Sequence, residues 1–105
     1  MNNSIEKKFS RAIQSMLDEE YDSAHADLQW LHDHPDDDSV EYLAIRRNFV
    51  LSAWAELGRL YEPAFRSLEK LLEEKSSRLA AGDQNPLLEG DINAIKRVIA
   101  RQFNK

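Results

Sequence analysis

The chain contains no cysteine, so disulfides and thiolate metal ligands are both excluded and nothing points to a secreted, cross-linked framework. Its 105 residues include only three glycines and three prolines, too few for the many tight turns of a β-sandwich or barrel. Strand-like alternation of apolar and polar residues is also missing. No apolar run approaches the roughly 20 residues of a membrane-spanning helix. The opening "MNNSIEKKFSRAI" lacks the apolar core of a signal peptide. These absences lead us to expect a cytoplasmic protein with no membrane contact. The chain has no glycine-rich phosphate loop, nucleophile elbow or cysteine nucleophile, so the expectation is no enzyme and no cofactor. Paired acids such as Glu19–Glu20 and Glu73–Glu74 are neighbours in sequence, diverge on a helix and read as solvated faces.

Apolar residues make up 42% and charged residues 31%, the balance of a soluble globular domain rather than a disordered chain. At this length the chain reads as one domain with a modest core. The net charge of −5 is unevenly spread. Residues 1–38 carry ten acids against three bases, a net of −7, and the remainder carries nine acids against eleven bases, a net of +2. An acidic first third argues against nucleic-acid binding, which needs a basic footprint. The basic last helix, with Lys96, Arg97, Arg101 and Lys105, reads more simply as a solvated face.

The apolar spacing predicts an all-α chain of five helices. The first runs from about Ser4 to Asp18, with Ile5, Phe9, Ile13, Met16 and Leu17 on one stripe and an Asn3–Glu6 capping box. "DEEYD" ends it, and a second helix from Asp22 to about His34 turns Ala24, Leu28 and Leu31 inward. A third runs from an N-cap at Asp38 to about Leu57, its wide apolar stripe suited to contact on two sides, with Gly58 as a left-handed cap. Pro63 fits the first turn of a fourth helix reaching about Ala80. "AGDQNPLLEG", residues 81–90, reads as a loop before a last helix, residues 91–103, that closes over an exposed helical edge.

An internal repeat joins these elements. "YDSAHADLQWL", Tyr21 to Leu31, lies 40 residues before "YEPAFRSLEKL", Tyr61 to Leu71, and Leu17 and Leu57 match at the same offset. The recurring alanine lets two helices approach, the tyrosine covers the turn, and the leucines fill the seam. Two helical hairpins follow, 4–36 and 38–80. "WAELGRLYEPAFRSLEKLL", Trp54 to Leu72, resembles a tetratricopeptide repeat, matching either the Trp-x-x-Leu-Gly-x-x-Tyr pattern of a first helix or the Gly-x-Tyr-x-x-Ala turn between helices. The turn registration agrees with the repeat and with Pro63. The period of 40 exceeds the roughly 34 residues of that family, and the first hairpin lacks the Trp and Leu-Gly pair. The resemblance implies two stacked antiparallel hairpins with a C-terminal capping helix.

"WLHDHPDDD", Trp30 to Asp38, crowds two histidines and four aspartates into nine residues. On a helix His32 and His34 point about 200° apart, so they share no metal without unwinding. A histidine at a helix C-terminus complements its dipole, Pro35 stops the helix, and the aspartates form a solvated turn. We expect no metal site. The aromatic residues Phe9, Trp30, Tyr42, Phe49, Trp54 and Phe65 read as core by spacing, with Trp30 set to one side of its helix, where it packs against a neighbour or meets a partner.

The tetratricopeptide resemblance implies a non-enzymatic module that holds a protein or peptide partner in a groove lined by first helices. On that reading Arg46, Arg47 and Asn48 meet acidic groups, Phe9 and Ile13 add apolar contacts, and Trp30 is a further contact. Two repeats are fewer than the roughly three a solenoid needs to bury a continuous core. Either the last helix completes the core, or a second copy buries the repeat edge in a homodimer.

Overall fold

The turn that ends the first helix shows how tightly local chemistry dictates this fold. Asn3–Leu17 form α1 and Tyr21–Asp33 form α2. Between them Glu20 N–H donates to the Ser15 carbonyl at 2.8 Å and Glu19 N–H to that of Met16 at 3.2 Å. This double closure needs a left-handed residue. Glu19 occupies it, with φ of 62°, a conformation that costs a non-glycine residue roughly 1–2 kcal/mol. The structure, a computed structural model, describes residues 3–33 and 44–103, with the side chains of Asn3, Ser4 and Arg46 outside that description. The expected caps at Asn3 and Asp38 and the stop at Pro35 therefore lie outside the described residues. Among the described residues all regular structure is helical and none is strand.

Beyond Ala44 the chain is π-helical over Ile45–Val50 and passes without a break into α3, Leu51–Leu60. The expected end at Leu57 with Gly58 as a left-handed cap is corrected: Gly58 lies inside α3 and its φ is not positive. Its role is close approach. A Cβ at Gly58 would stand 3.0 Å from Phe65 Cβ and 3.1 Å from Phe65 Cα, across the seam with the next helix. That helix, α4, spans Glu62–Ala80 with Pro63 in its first turn. It ends at Gly82, φ 94°, where Asp83 N–H reaches the Arg78 carbonyl at 3.0 Å.

The last helix, α5, spans Leu87–Phe103, so the expected loop 81–90 is four residues too long. The Asn85 side chain accepts from Leu87 N–H at 3.0 Å and starts the helix early. Gly90, which reads as loop punctuation in the sequence, sits inside α5 because the Arg47 guanidinium lies on it. A Cβ there would come within 2.5 Å of Nη2 and 2.6 Å of Cζ.

Helix α1 packs on α2, α2 on α3, α3 on α4, and α5 on both α3 and α4 of its own chain. Arg11 meets Asp27 and Lys8 meets Trp30, so α1 and α2 run antiparallel. Ala24, Leu28 and Leu31 are fully buried, as are Trp54, Leu57, Ala64 and Leu68, joined by Ile92, Ile95 and Val98 of α5. On α1 the buried line is Ile5, Ala12 and Ser15, with Phe9, Ile13 and Met16 half-buried, while Leu17 is 72% exposed. The expected stripe is thus rotated, because small residues let α1 lie close to α2.

One carboxylate ties three elements. Asp91 of α5 is 1% exposed and takes Arg47 Nε at 3.1 Å and Lys75 Nζ of α4 at 3.2 Å. Arg47 also donates to the Leu87 carbonyl at 3.3 Å. Removing one member of a buried ion pair strands the others, at roughly 3–5 kcal/mol. The exposed Glu62–Arg66 pair on α4, by contrast, is worth about 0.3–0.5 kcal/mol. Asp91→Ala is therefore expected to lower the unfolding free energy by about 3 kcal/mol or more, and Gly90→Ala, by pushing Arg47 off the carboxylate, by roughly 1–3 kcal/mol. Urea denaturation, with Glu62→Gln as the near-neutral control, measures both. Glu19→Gly is expected to act in the opposite direction and raise stability by about 1 kcal/mol.

Candidate functional site

The same 40-residue offset that relates the hairpin turns carries Ile5 onto Ile45 and Phe9 onto Phe49. All four line one cavity of about 400 Å³, open to solvent, between α1 and the π-helical segment, with Glu6 and Ser10 on its rim. Ile5 is buried and Phe9 and Ile45 are half-buried, whereas Phe49 is 60% exposed. The expectation that Phe49 is core is corrected. An i→i−5 turn winds less per residue than an α-helix, and it leaves the Phe49 ring at the groove. Repeat equivalence was the available signal: a residue matching Phe9 faces the same gap from the other wall.

The residues singled out in the sequence have different fates. Phe9 lines the cavity, and Ile13, one turn further along α1, is half-buried against the core. Trp30 is half-buried with Lys8 Nζ 4.5 Å over its ring, so it packs beside α1. Arg47 meets an acidic group, but that group is Asp91 of the same chain. Asn48 is exposed and its Oδ1 accepts from Arg97 at 3.5 Å. Arg46 contributes its backbone to the π-helical segment, and its side chain lies outside the described residues. The two walls of the groove are fixed separately: α1 by Arg11, whose Nε and Nη2 donate to the two Asp27 oxygens at 2.9 and 2.7 Å, and the π-helical segment by Arg47.

Between α2 and α4 lies a polar cluster that the sequence did not suggest. His25 Nε2 stands 2.6 Å from Ser67 Oγ, which donates to the Ala64 carbonyl at 2.9 Å. Trp54 Nε1 donates to the same carbonyl at 2.9 Å. The direction of the 2.6 Å bond follows the His25 tautomer, with Nε2 donating to Ser67 Oγ when it carries a proton. The ring also lies edge-on to Trp54 and Tyr61, and Tyr61 faces its repeat counterpart Tyr21 at 6.0 Å. Charged and neutral imidazole can both donate from Nε2, so this bond does not choose between them. Burial does, and it lowers the His25 pKa below its ordinary value of 6.5.

His32 is buried with its ring edge-on to Trp54 at 6.0 Å, while His34 and Asp36 to Asp38 lie outside the described residues. Among the described residues no three His, Asp or Glu side chains are grouped to hold a metal ion, and no helix is long and apolar enough to cross a membrane. Comparison with family models, curated proteins and solved structures finds no match to this chain.

The His25 shift has a definite sign. A base whose folded pKa is depressed contributes stability that is complete above 6.5 and is lost as pH falls through the lowered folded value. The urea midpoint is expected to drop as pH falls below the ordinary value of 6.5, and His25→Gln to flatten that part of the profile; an unchanged slope in the variant would assign the drop to other groups.

Proposed function

We propose that this chain is a non-enzymatic protein–protein interaction module, a small cytoplasmic adaptor or chaperone-like protein with a tetratricopeptide-like stack. The observation that carries the reading is the open apolar cavity between Phe9 and Phe49, with a large ring left 60% exposed on one wall. Concave apolar pockets with exposed aromatic anchors are where partner side chains insert. The stack is supported by equivalent residues of the two hairpins meeting across their shared boundary, Tyr21 with Tyr61 and Phe9 opposite Phe49. Helix α5 lies on α3 and α4 as the first helix of a further repeat would, supplying the core that two repeats lack.

The alternative is a homodimer that buries the repeat edge. Leu17 and Leu60, 72% and 58% exposed, favour it. The module reading is better supported, because Leu88, Ile92, Ile95 and Val98 of α5 are already buried within their own chain, so the core does not need a second copy to cover it.

Native mass spectrometry of the protein purified gently from its own cells tests the proposal. A heteromeric mass is expected for the wild-type chain and a bare monomer for Phe49→Asp. That exposed substitution should change the unfolding free energy by less than about 1 kcal/mol. A wild-type homodimer or monomer would overturn the module reading.

A further inference from the structure

A second cavity, of about 340 Å³, lies between the C-terminal half of α1 and the start of α2. Arg11 and Ser15 line it from α1, Glu20 from the turn, and Ser23, Ala26 and Asp27 from α2. Arg11 donates to both Asp27 oxygens, at 2.9 and 2.7 Å, and Lys8 Nζ stands 3.9 Å from the same carboxylate. Both bases thus lie on Asp27, which leaves Glu20 as the lining charge that neither meets. Ser15 is 7% exposed, and among the described residues its hydroxyl makes no hydrogen bond. A polar side chain buried to that degree ordinarily has a partner. Packing does not explain the hydroxyl either. The 40-residue offset carries Ser15 onto Ala55, which is fully buried, so a methyl suffices at the matching position of the second hairpin. The same offset carries Arg11, Glu20, Ser23 and Asp27 onto Leu51, Leu60, Pro63 and Ser67, so the polar lining is particular to the first hairpin.

We infer that this cavity seats a primary alkylammonium group, with Glu20 as its counter-charge and Ser15 and Ser23 as its hydroxyl acceptors. An ammonium carries three donors and no acceptor, and one carboxylate with two hydroxyls can meet all three. A guanidinium spreads its donors in a plane and suits a paired carboxylate face, which Asp27 already gives to Arg11. Residues 8–27 hold five acids against Lys8 and Arg11, a net of −3 with His25 neutral, so the local field favours a cation. An anion would find Arg11 with Nε and Nη2 already committed to Asp27. Among the described residues no three His, Asp or Glu side chains are grouped to hold a metal ion. The site shares no residue with the apolar cavity between Phe9 and Phe49 and does not depend on it. A lysine side chain of a partner protein and a free polyamine both carry the required group.

The test is an NMR titration of the full chain with spermidine and, separately, with N-acetyl-lysine methylamide, using acetate as the anionic control. The expected result is saturable shifts of the Ser15, Glu20 and Ser23 amides with both cations and none with acetate. Spermidine binding that outlasts screening by added salt assigns the site to free polyamines, whereas salt that levels the two probes assigns it to a lysine side chain. Ser15→Ala leaves every charge in place and should weaken either cation about fivefold. Its urea midpoint should stay at the wild-type level, since alanine favours a helix and Ala55 fills the matching position. Glu20→Gln, at an exposed position, should weaken binding by at least about tenfold. Cation shifts spread over the acidic turn and unchanged by Ser15→Ala would mark diffuse attraction and overturn the site. An absence of shifts, or acetate binding more tightly than either cation, would overturn it as well.

Discussion

Asp91 is the constraint on which the arrangement of this small chain depends. A carboxylate that is 1% exposed has lost its water and must recover that free energy from neighbours. Its neighbours come from two directions: Arg47 from the π-helical segment and Lys75 from α4, at 3.1 and 3.2 Å. The net gain in stability from such a triad is modest, since desolvating three charges offsets most of their attraction. Its value lies in register. An apolar face on α5 would tolerate sliding by a turn along α3 and α4, whereas a buried charge matched to two cations does not. Gly90 belongs to the same device, as it clears the space in which the Arg47 guanidinium lies against α5.

The groove inherits its shape from that clamp. Arg47 sits two residues before Phe49, so holding Arg47 on α5 also fixes the π-helical turn that presents Phe49. The opposite wall is fixed independently, by the two-point contact of Arg11 with Asp27 and by Lys8 over Trp30. His25, with Ser67, Trp54 and the facing tyrosines, joins α2 to α3 and α4.

Helix content was legible in the sequence because it rests on periodicity, and the buried set Ala24, Leu28, Leu31, Trp54, Ala64, Leu68 and Ile95 follows from spacing alone. What the sequence hid were positions where a residue serves another element. Gly58 and Gly90 look like punctuation, yet each is a helical residue pressed by a residue from elsewhere, Phe65 in one case and Arg47 in the other. Arg47 looks like a surface cation and is held by a carboxylate 44 residues away. Phe49 looks like core because the spacing rule assumes an α-helix, and a π-helical turn breaks that rule. Of the residues expected at a partner surface, the structure brings Phe9 to the cavity, sets Asn48 against Arg97 of α5, and pairs Arg47 with Asp91.

An apolar opening in a small domain would ordinarily collapse, since closing it removes water from both walls. Here each wall is anchored to a different partner. Moving α1 inward means giving up the Arg11–Asp27 contact, and moving the π-helical segment means drawing Arg47 from Asp91 and the Leu87 carbonyl. Drawing Arg47 away leaves the buried Asp91 carboxylate with Lys75 as its described cation, and that loss opposes the roughly 1.5–3 kcal/mol that burying one aromatic ring returns. A site held open in this way has already met much of the ordering cost that binding imposes. Affinity for an inserted side chain then depends on the two phenylalanines rather than on rearrangement of the helices.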